Sequence, residues 1–213
     1  MNDSVMKMEK GFKLLKIYMI LTAVTAIKLN DKGIMGNIYT VIHIVNLIIY
    51  LLALSNLKEL NEHFERSYNH AIKMAILIIV PQIIGLLITP FFFREDYMGM
   101  LGIMSLIPFV VLIIFVASTL FQIVSLKEIS LGIVEIVENN GEERFQYIVE
   151  LSENFYKRVV RLYLGLLGVI ILGFLPPILL IAVISLFIYN FYHIYKGYEL
   201  VSTCERYTME LIG

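Results

Sequence analysis

Long apolar runs separated by short polar stretches dominate the chain. Residues 97–126 carry no charged side chain, and neither do residues 33–57 or 162–195. Each run ends in a Lys followed by a Glu within an apolar frame: Ser55-Asn56-Leu57-Lys58-Glu59-Leu60, Val124-Ser125-Leu126-Lys127-Glu128-Ile129 and, more loosely, Lys196-Gly197-Tyr198-Glu199-Leu200. This repetition predicts a helix-pair unit that is used three times.

Runs of this length are typical of membrane-spanning helices, because about 20 apolar residues cross the hydrocarbon core. We therefore predict an all-α fold: a polytopic helical membrane bundle that forms a single integral membrane domain over 1–213. Polar turns are expected at 30–33 and 94–96. About six spans are predicted, paired as three hairpins, near 14–29, 38–54, 71–92, 102–126, 159–175 and 178–195.

An apolar stripe continues beyond the second span. Its members follow an i, i+3, i+7, i+11 spacing: Leu57, Leu60, Phe64 and Tyr68. The spacing predicts that the second helix extends past the lipid until Asn69 and His70 interrupt it.

Residues 127–158 form the one long polar insertion, which we place in the cytoplasm with a break at 138–142. After the break, one helix face is apolar or small: Phe145, Ile148, Ser152, Phe155 and Val159. This periodicity predicts an amphipathic helix that leads back to the membrane.

Two segments allow more than one interpretation. The first resembles a secretory signal, with a basic start, a short apolar region and Ala-Val-Thr-Ala at 23–26, but we interpret it as a retained span. The last run, 162–195, contains Pro176-Pro177 and could cross once as a bent helix or twice as two helices. Six crossings place fourteen Lys and Arg inside and three outside, whereas five crossings give twelve and five. Because positive charge favours the cytoplasm, we predict a multi-pass cell-membrane protein with both termini cytoplasmic.

Composition agrees with a membrane protein. Apolar residues make up 59% and charged residues 16%, with a mean hydropathy of +0.80, against about 45–50% apolar and 25% charged in soluble domains. The net charge of −1 gives no basic signal for nucleic acid, so the expected partners are membrane lipids and a protein partner or second copy. The single cysteine, Cys204, cannot form an internal disulfide.

Polar residues within the spans are the candidates for intramembrane contacts. They comprise two pairs spaced three apart and two single amides: His43 with Asn46, Asn190 with His193, Gln82 and Gln122. Such groups either line a polar cavity or bind a metal, or they hydrogen-bond a neighbouring helix. Because His43 lies near the outer end of its helix and His193 near the inner end, one common site is not expected.

Catalytic and metal-binding patterns are missing from the sequence. No Asp, Glu, Lys or Arg lies in 74–93, 97–126 or 162–195, whereas ion-coupled carriers and intramembrane proteases generally need ionisable groups there. Glu59, His63 and His70 can share a helix face, but a third protein ligand is not evident and Arg66 indicates a solvated face. We therefore predict no enzyme activity, no metal and no cofactor.

Gly165 and Gly168, with Gly173, provide a strip where helices can approach closely.

One pattern in this sequence resembles a known family. It consists of the apolar run from Ile38, the Leu-Lys-x-Leu segment that ends it at Leu57 to Leu60, and Asn69 before the next span, and it is echoed after Leu126. The family comprises small multi-pass, mainly archaeal membrane proteins and is catalogued as domain of unknown function 996. The resemblance implies a membrane-embedded helical fold over most of the chain. It implies no activity, and no functional residue is carried over from it.

Three functions are compatible with this sequence. The first is a non-enzymatic structural or interaction protein that acts through its cytoplasmic helices. The alternative is a transporter or permease subunit for a neutral or apolar solute, suggested by the proline-containing spans and the threefold repetition. An enzyme acting on lipids ranks last, because clustered carboxylates or histidines at one interface are missing.

Overall fold

A computed structural model describes residues 3–26, 34–92, 101–140, 145–172 and 176–210. Within these ranges the regular elements are all α-helices, which confirms the predicted all-α class. The six helices are α1 (Asp3–Ala26), α2 (Ile34–Leu57), α3 (Glu62–Phe92), α4 (Leu101–Asn140), α5 (Gln146–Leu172) and α6 (Pro176–Glu210). The turns predicted at 30–33 and 94–96, and Gly173, lie outside the described residues.

The helices form a closed ring. Each helix packs against the one before it and the one after it, and α6 also packs against α1. Neighbours are antiparallel: on α1 and α2, for example, Lys7 meets Glu59 near one end, whereas Thr22 meets Asn46 further along. The start of α1, the turn after α2 and the end of α6 therefore lie at the same end of the ring.

That end holds nearly all of the buried core, and we call it the packed half: residues 7–19, 50–75, 125–137, 145–159 and 193–208. All six helices contribute to it. Its largest fully buried side chains include Phe12, Leu54, Phe64, Ile133, Phe155 and Leu200. These residues recur every three to four positions on their helices, as expected of helices that each bury one face.

The other half of the described ring presents its apolar side chains outward. We call these exposed residues the apolar belt: they lie in 17–24, 41–52, 76–80, 109–120, 164–166 and 180–195. No Asp, Glu, Lys or Arg occurs in any of these ranges. Large exposed apolar surfaces of this kind mark contact with lipid or with another protein.

Length and composition also point to a membrane. Among the described residues, one helical segment is long and apolar enough to span it, Phe109–Asn139, with a mean hydropathy of 2.6. A second segment, Val41–Leu57, is apolar but shorter. The structure thus supports one crossing on these criteria, and six crossings stay a prediction.

Basic residues follow the edge of the apolar belt where it meets the packed half. Each of several lysines lies over an aromatic ring within 5.7 to 5.8 Å of its centroid: Lys16 over Tyr198, Lys73 over Phe121, Lys127 over Tyr156 and Lys196 over Tyr195. Lysine and tyrosine are the residues expected at the boundary between hydrocarbon and headgroups.

The connection between α2 and α3 differs from the prediction. The second helix does not continue through 57–68; it ends at Leu57, and α3 begins at Glu62. Asn61 caps α3, because its side-chain Oδ1 accepts a hydrogen bond from the backbone N–H of Phe64 at 3.0 Å. Asn69 and His70 lie within α3 without interrupting it.

The predicted insertion at 127–158 is built from extensions of neighbouring helices. α4 continues from the apolar run to Asn140, and α5 begins at Gln146. The predicted apolar face of α5 is buried as expected, with Phe145, Ile148, Ser152, Phe155 and Val159 each at most 9% exposed. The last apolar run forms two antiparallel helices, α5 and α6, and not one bent helix.

The three Lys-Glu exits occupy related positions in the ring. The three hairpins are α1–α2, α3–α4 and α5–α6. In each one, the Glu of the Lys-Glu exit bonds a side chain near the start of the first helix of the hairpin. The three pairs are Glu59 with Lys7 at 2.6 Å, Glu128 with His63 at 2.7 Å and Glu199 with Tyr147 at 2.6 Å. A threefold hairpin unit therefore has a structural counterpart, although α4 and α6 continue past the exit and α2 does not.

Glycines mark the closest helix approaches. A Cβ on Gly11 would lie 2.5 Å from two side-chain carbons of Leu57, and on Gly165 it would lie 2.5 Å from Cδ2 of Leu186. Around Gly168 no atom lies within 4 Å of the corresponding position. In the predicted small-residue strip on α5, another helix therefore lies close to Gly165 but not to Gly168.

Candidate functional site

The interior of the ring contains a polar space, which we call the lumen. Its larger part is a cavity of about 420 Å³ between α1, α2, α3 and α4. Its lining is apolar apart from a few neutral or imidazole groups: Tyr18, Thr22, Thr25, His43, Asn46 and Gln122. Cavities of about 300–1,000 Å³ with a few convergent polar groups are the usual form of small-molecule sites.

A smaller cavity of about 80 Å³, which we count as the second part of the lumen, lies beside the first, between α1, α4, α5 and α6. Asn190, His193 and Tyr163 line it. Both cavities share Tyr18, Thr22 and Gln122. These shared residues therefore form the partition between the two parts of the lumen.

Helix α1 is positioned by polar contacts across the lumen. Asn46 donates from Nδ2 to Oγ1 of Thr22 at 3.0 Å, and Thr22 donates to the backbone carbonyl of Tyr18 at 2.8 Å. The other amide atom of Asn46, Oδ1, is buried without a hydrogen-bond partner. A buried acceptor left unpaired costs about 1–3 kcal/mol, and Asn46 is one of the residues that line the larger cavity.

The smaller cavity also has an unused group. The His193 ring stacks on Phe155, with centroids 4.9 Å apart and planes inclined by 23°, and its Nδ1 is buried without a partner. On the opposite wall, Tyr163 donates to Oε1 of Gln122 at 2.7 Å. Gln122 is thereby held in place by α5, whereas Nδ1 of His193 has no partner within the described residues.

The lumen is closed toward the packed half. The rings of Tyr18 and Tyr50 lie 4.6 Å apart, and the Tyr50 hydroxyl pairs with Oγ of Ser125 at 2.6 Å. Ser67 and Ser125 exchange hydrogen bonds of 2.9 to 3.1 Å between their hydroxyls and backbone carbonyls. These bonds join α2, α3 and α4, and the apolar core of Phe12 and Leu54 follows beyond them.

The predicted polar residues are distributed over both cavities. His43 and Asn46 line the larger one, Asn190 and His193 line the smaller one, and Gln122 lines both. The Gln82 side chain lies outside the described residues, although its backbone belongs to α3. The two pairs thus line separate cavities of the lumen.

Several residues that line or close the lumen were missed by the sequence analysis: Tyr18, Thr22, Thr25, Tyr50, Ser67, Ser125 and Tyr163. Tyr18 and Thr22 are four apart and therefore share a helix face, which was a usable signal. Ser67 and Ser125 gave none, because single serines are common in helices and their pairing depends on how α3 and α4 meet.

The metal hypothesis gains no support from the placement of its residues. Glu59 binds Lys7, His63 binds Glu128, and His70 stacks on Phe121. Within the ranges given above, no group of three or more His, Cys, Asp or Glu side chains could hold a metal ion.

Cys204 is separate from the lumen. Its side chain is buried in the packed half, and burial raises the pKa of its thiol well above its usual range. A thiol in such surroundings is chemically inert.

Comparison with known proteins adds no relative: no family model, no curated protein and no solved structure matches this chain. The resemblance to domain of unknown function 996 therefore stays a prediction.

Proposed function

We propose that this is a multi-pass membrane protein whose lumen binds a small neutral, hydrogen-bonding solute, acting as a permease or permease subunit. The proposal adopts what the sequence analysis gave as the alternative function. The observation that carries it is the lumen itself, an internal space with unpaired Asn46 Oδ1 and His193 Nδ1 and no Asp, Glu, Lys or Arg in its lining. A neutral solute satisfies these groups without having to be stripped of charge.

All six helices are proposed to cross the membrane. Every helix contributes exposed apolar residues to the apolar belt, and the lysines at its edge lie at the level expected for headgroups. In a water-soluble ring this apolar surface would stay in contact with water, which costs about 25 cal/mol of free energy per Å². The excess of basic residues on the packed half favours the cytoplasm for that end, with both termini inside.

In this state the lumen is closed to the cytoplasm. A solute leaving through the packed half must pass the Tyr18–Tyr50 pair and the hydrogen-bonded Ser67 and Ser125. Transport therefore requires that these contacts separate, whereas binding does not. The two steps can be measured independently.

The interaction function receives less support from the packing. It depended on apolar faces at 57–68 and 145–159 being offered to a partner. Leu57, Phe64, Ile148 and Phe155 are instead buried within the chain at no more than 1% exposure. The amphipathic pattern is thereby accounted for by the internal core.

The test is solute entry into proteoliposomes, followed by light scattering with glycerol and urea as probes. Asn46→Leu is expected to reduce the flux at least tenfold, because it removes the unpaired acceptor and fills the cavity. Asn56→Leu is the matched control: the same change on the same helix, at a half-buried residue outside both cavities whose side chain bonds the Leu52 carbonyl, should leave flux unchanged. Flux no faster than in protein-free liposomes for both probes would refute the permease. Equal loss in both variants would show that the lumen is not the route.

A further inference from the structure

The seam between α5 and α6, at the edge of the apolar belt, contains a buried cation without a counterion. Arg158 is only 8% exposed, yet its Nε and Nη2 atoms have no hydrogen-bond partner. The seam is fixed by the Tyr189 hydroxyl, which donates to the Arg158 carbonyl at 3.4 Å. A buried guanidinium normally has a carboxylate partner, because leaving it unpaired is costly.

The nearest carboxylate in the seam is already occupied. Glu199 accepts from Lys196 at 2.6 Å through one oxygen and from the Tyr147 hydroxyl at 2.6 Å through the other. No ion pair joins Arg158 to any carboxylate among the described residues. Burial lowers the pKa of the Arg158 guanidinium, and the charge of the Glu199 carboxylate opposes this shift only in part.

The surroundings of Arg158 match the headgroup level of a membrane. Tyr192 and Tyr195 on α6 are 47% and 62% exposed, and the belt residue Leu164 lies less than two turns along α5 from Arg158. Arg161, three residues after Arg158, is exposed. Two arginines one helical turn apart, one buried and one exposed, therefore lie at the edge of the apolar belt.

We propose that Arg158, with Arg161, binds the phosphate of an anionic phospholipid in the leaflet next to the packed half. The planar fork of the guanidinium matches two phosphate oxygens and would satisfy Nε and Nη2 together. Basic pockets between membrane helices on the cytoplasmic side are suited to such headgroups. Arg158 lines neither cavity of the lumen, although it lies close enough to His193 for their charges to interact.

The experiment compares the full-length protein in nanodiscs of phosphatidylcholine alone and with added phosphatidylglycerol. We expect phosphatidylglycerol to raise the midpoint of thermal unfolding, and native mass spectrometry to show one tightly retained anionic lipid. Arg158→Gln should weaken this retention by about tenfold or more, since a charge-assisted hydrogen bond contributes about 1.5–3 kcal/mol. Lys157→Gln is the control, because Lys157 is exposed and paired with Glu153 at 3.3 Å.

A purely structural role for Arg158 gives a different result. If Arg158 only supports packing, Arg158→Gln lowers the unfolding midpoint equally in both lipids. Our proposal predicts instead that in phosphatidylcholine alone Arg158→Gln is at least as stable as the wild type, because an unpaired buried charge has been removed. Arg158→Lys should retain part of the lipid effect, which keeps the test open should the glutamine variant not fold.

Glycerol phosphate in solution, added to protein in phosphatidylcholine nanodiscs, separates the two sources of phosphate. Stabilisation by phosphatidylglycerol but not by glycerol phosphate supports a lipid site. Equal stabilisation by both would show a site for soluble phosphate and would overturn the lipid assignment. No difference between wild type and Arg158→Gln with any of these ligands would overturn the site altogether.

Discussion

The ion pair that closes the ring offers the sharpest test of the fold. Lys16 on α1 lies 2.7 Å from Oε2 of Glu205 on α6, 189 residues away in sequence. Glu205 is only 7% exposed, whereas the Lys16 side chain is 29% exposed. Replacing Lys16 by Met keeps the aliphatic packing but leaves a buried carboxylate without its cation.

The expected magnitude follows from this geometry. Two unit charges 2.7 Å apart attract each other by about 6 kcal/mol at an effective dielectric constant of 20. Desolvation offsets much of that, and the partial exposure of Lys16 reduces it further. We therefore expect Lys16→Met to lower the free energy of unfolding by about 2–3 kcal/mol. The double variant Lys16→Met/Glu205→Leu should recover to within about 1 kcal/mol of the wild type, because no buried charge then remains.

The assay is a double-mutant cycle from reversible unfolding in mild detergent, followed by far-UV circular dichroism at neutral pH. The cycle Lys157→Met/Glu153→Leu on the surface of α5 is the control, since both of its side chains are more than half exposed. Its coupling should not exceed about 0.5 kcal/mol. A Lys16–Glu205 coupling as small as that of the control would refute the packing of α6 on α1 and hence the closed ring.

Three further outcomes are expected. Gly168→Ala should raise the stability of the protein by up to about 1 kcal/mol in thermal unfolding, through helix propensity. Gly11→Ala should be about 1–3 kcal/mol less stable than Gly168→Ala in the same assay, because its Cβ collides with the buried side chain of Leu57. Equal stabilities of the two variants would contradict the close approach of α1 and α2. Cys204 should resist maleimide in the folded protein at pH 8, because its thiol is buried and has a raised pKa. It should react once the chain is denatured, as followed by mass spectrometry. Rapid labelling of the folded protein would contradict the burial of Cys204. The hydrogen bond from Lys196, and after it the one from Tyr147, holds the pKa of Glu199 below its usual range. A lowered carboxylate pKa stabilises the folded state above the unfolded pKa of about 4.3, and this stabilisation is lost as the pH falls through the lower pKa of the folded state. The stability lost in Tyr147→Phe at pH 7 should therefore vanish in strong acid, and a loss that persists there would show that packing causes it.

The burial of Cys204 also determines how topology can be measured. Labelling of Cys204 from either side of a sealed vesicle would fail in the folded protein whichever way the chain is oriented. A useful reporter is a single cysteine at an exposed residue of the packed half, such as Glu138, in a Cys204→Ala background.

Helix number and position were largely readable from the sequence. Apolar runs of spanning length, and the prolines at 176–177, led to six helices in the observed order. The helices extend further than the predicted spans, because their ends are stabilised by burial in the packed half. The buried stripe that begins at Phe145 was visible as a periodicity before its partners were known.

The turn at the end of α2 was misread for a physical reason. The spacing of Leu60, Phe64 and Tyr68 after Leu57 fits one continuous helix as well as two helices that bury neighbouring faces. The deciding signal was Asn61, a good capping residue followed by Glu62 and Glu65 in the first turn of α3. Local cap chemistry was therefore more informative here than the apolar period.

The lumen could not be derived in the same way. Its contacts join residues that are far apart in sequence, such as Gln122 with Tyr163. Sequence spacing shows which side chains share one helix face, but it does not show which faces meet across a ring. That order became clear only from the packing of α6 against α1.

The meeting of the first and last helices has a consequence for biogenesis. At about 5–20 residues per second, on the order of ten to forty seconds separate the synthesis of Lys16 from that of Glu205. During this interval the face of α1 that carries Lys16 and Met19 waits without its final neighbour. That face must be shielded from other chains until α6 arrives.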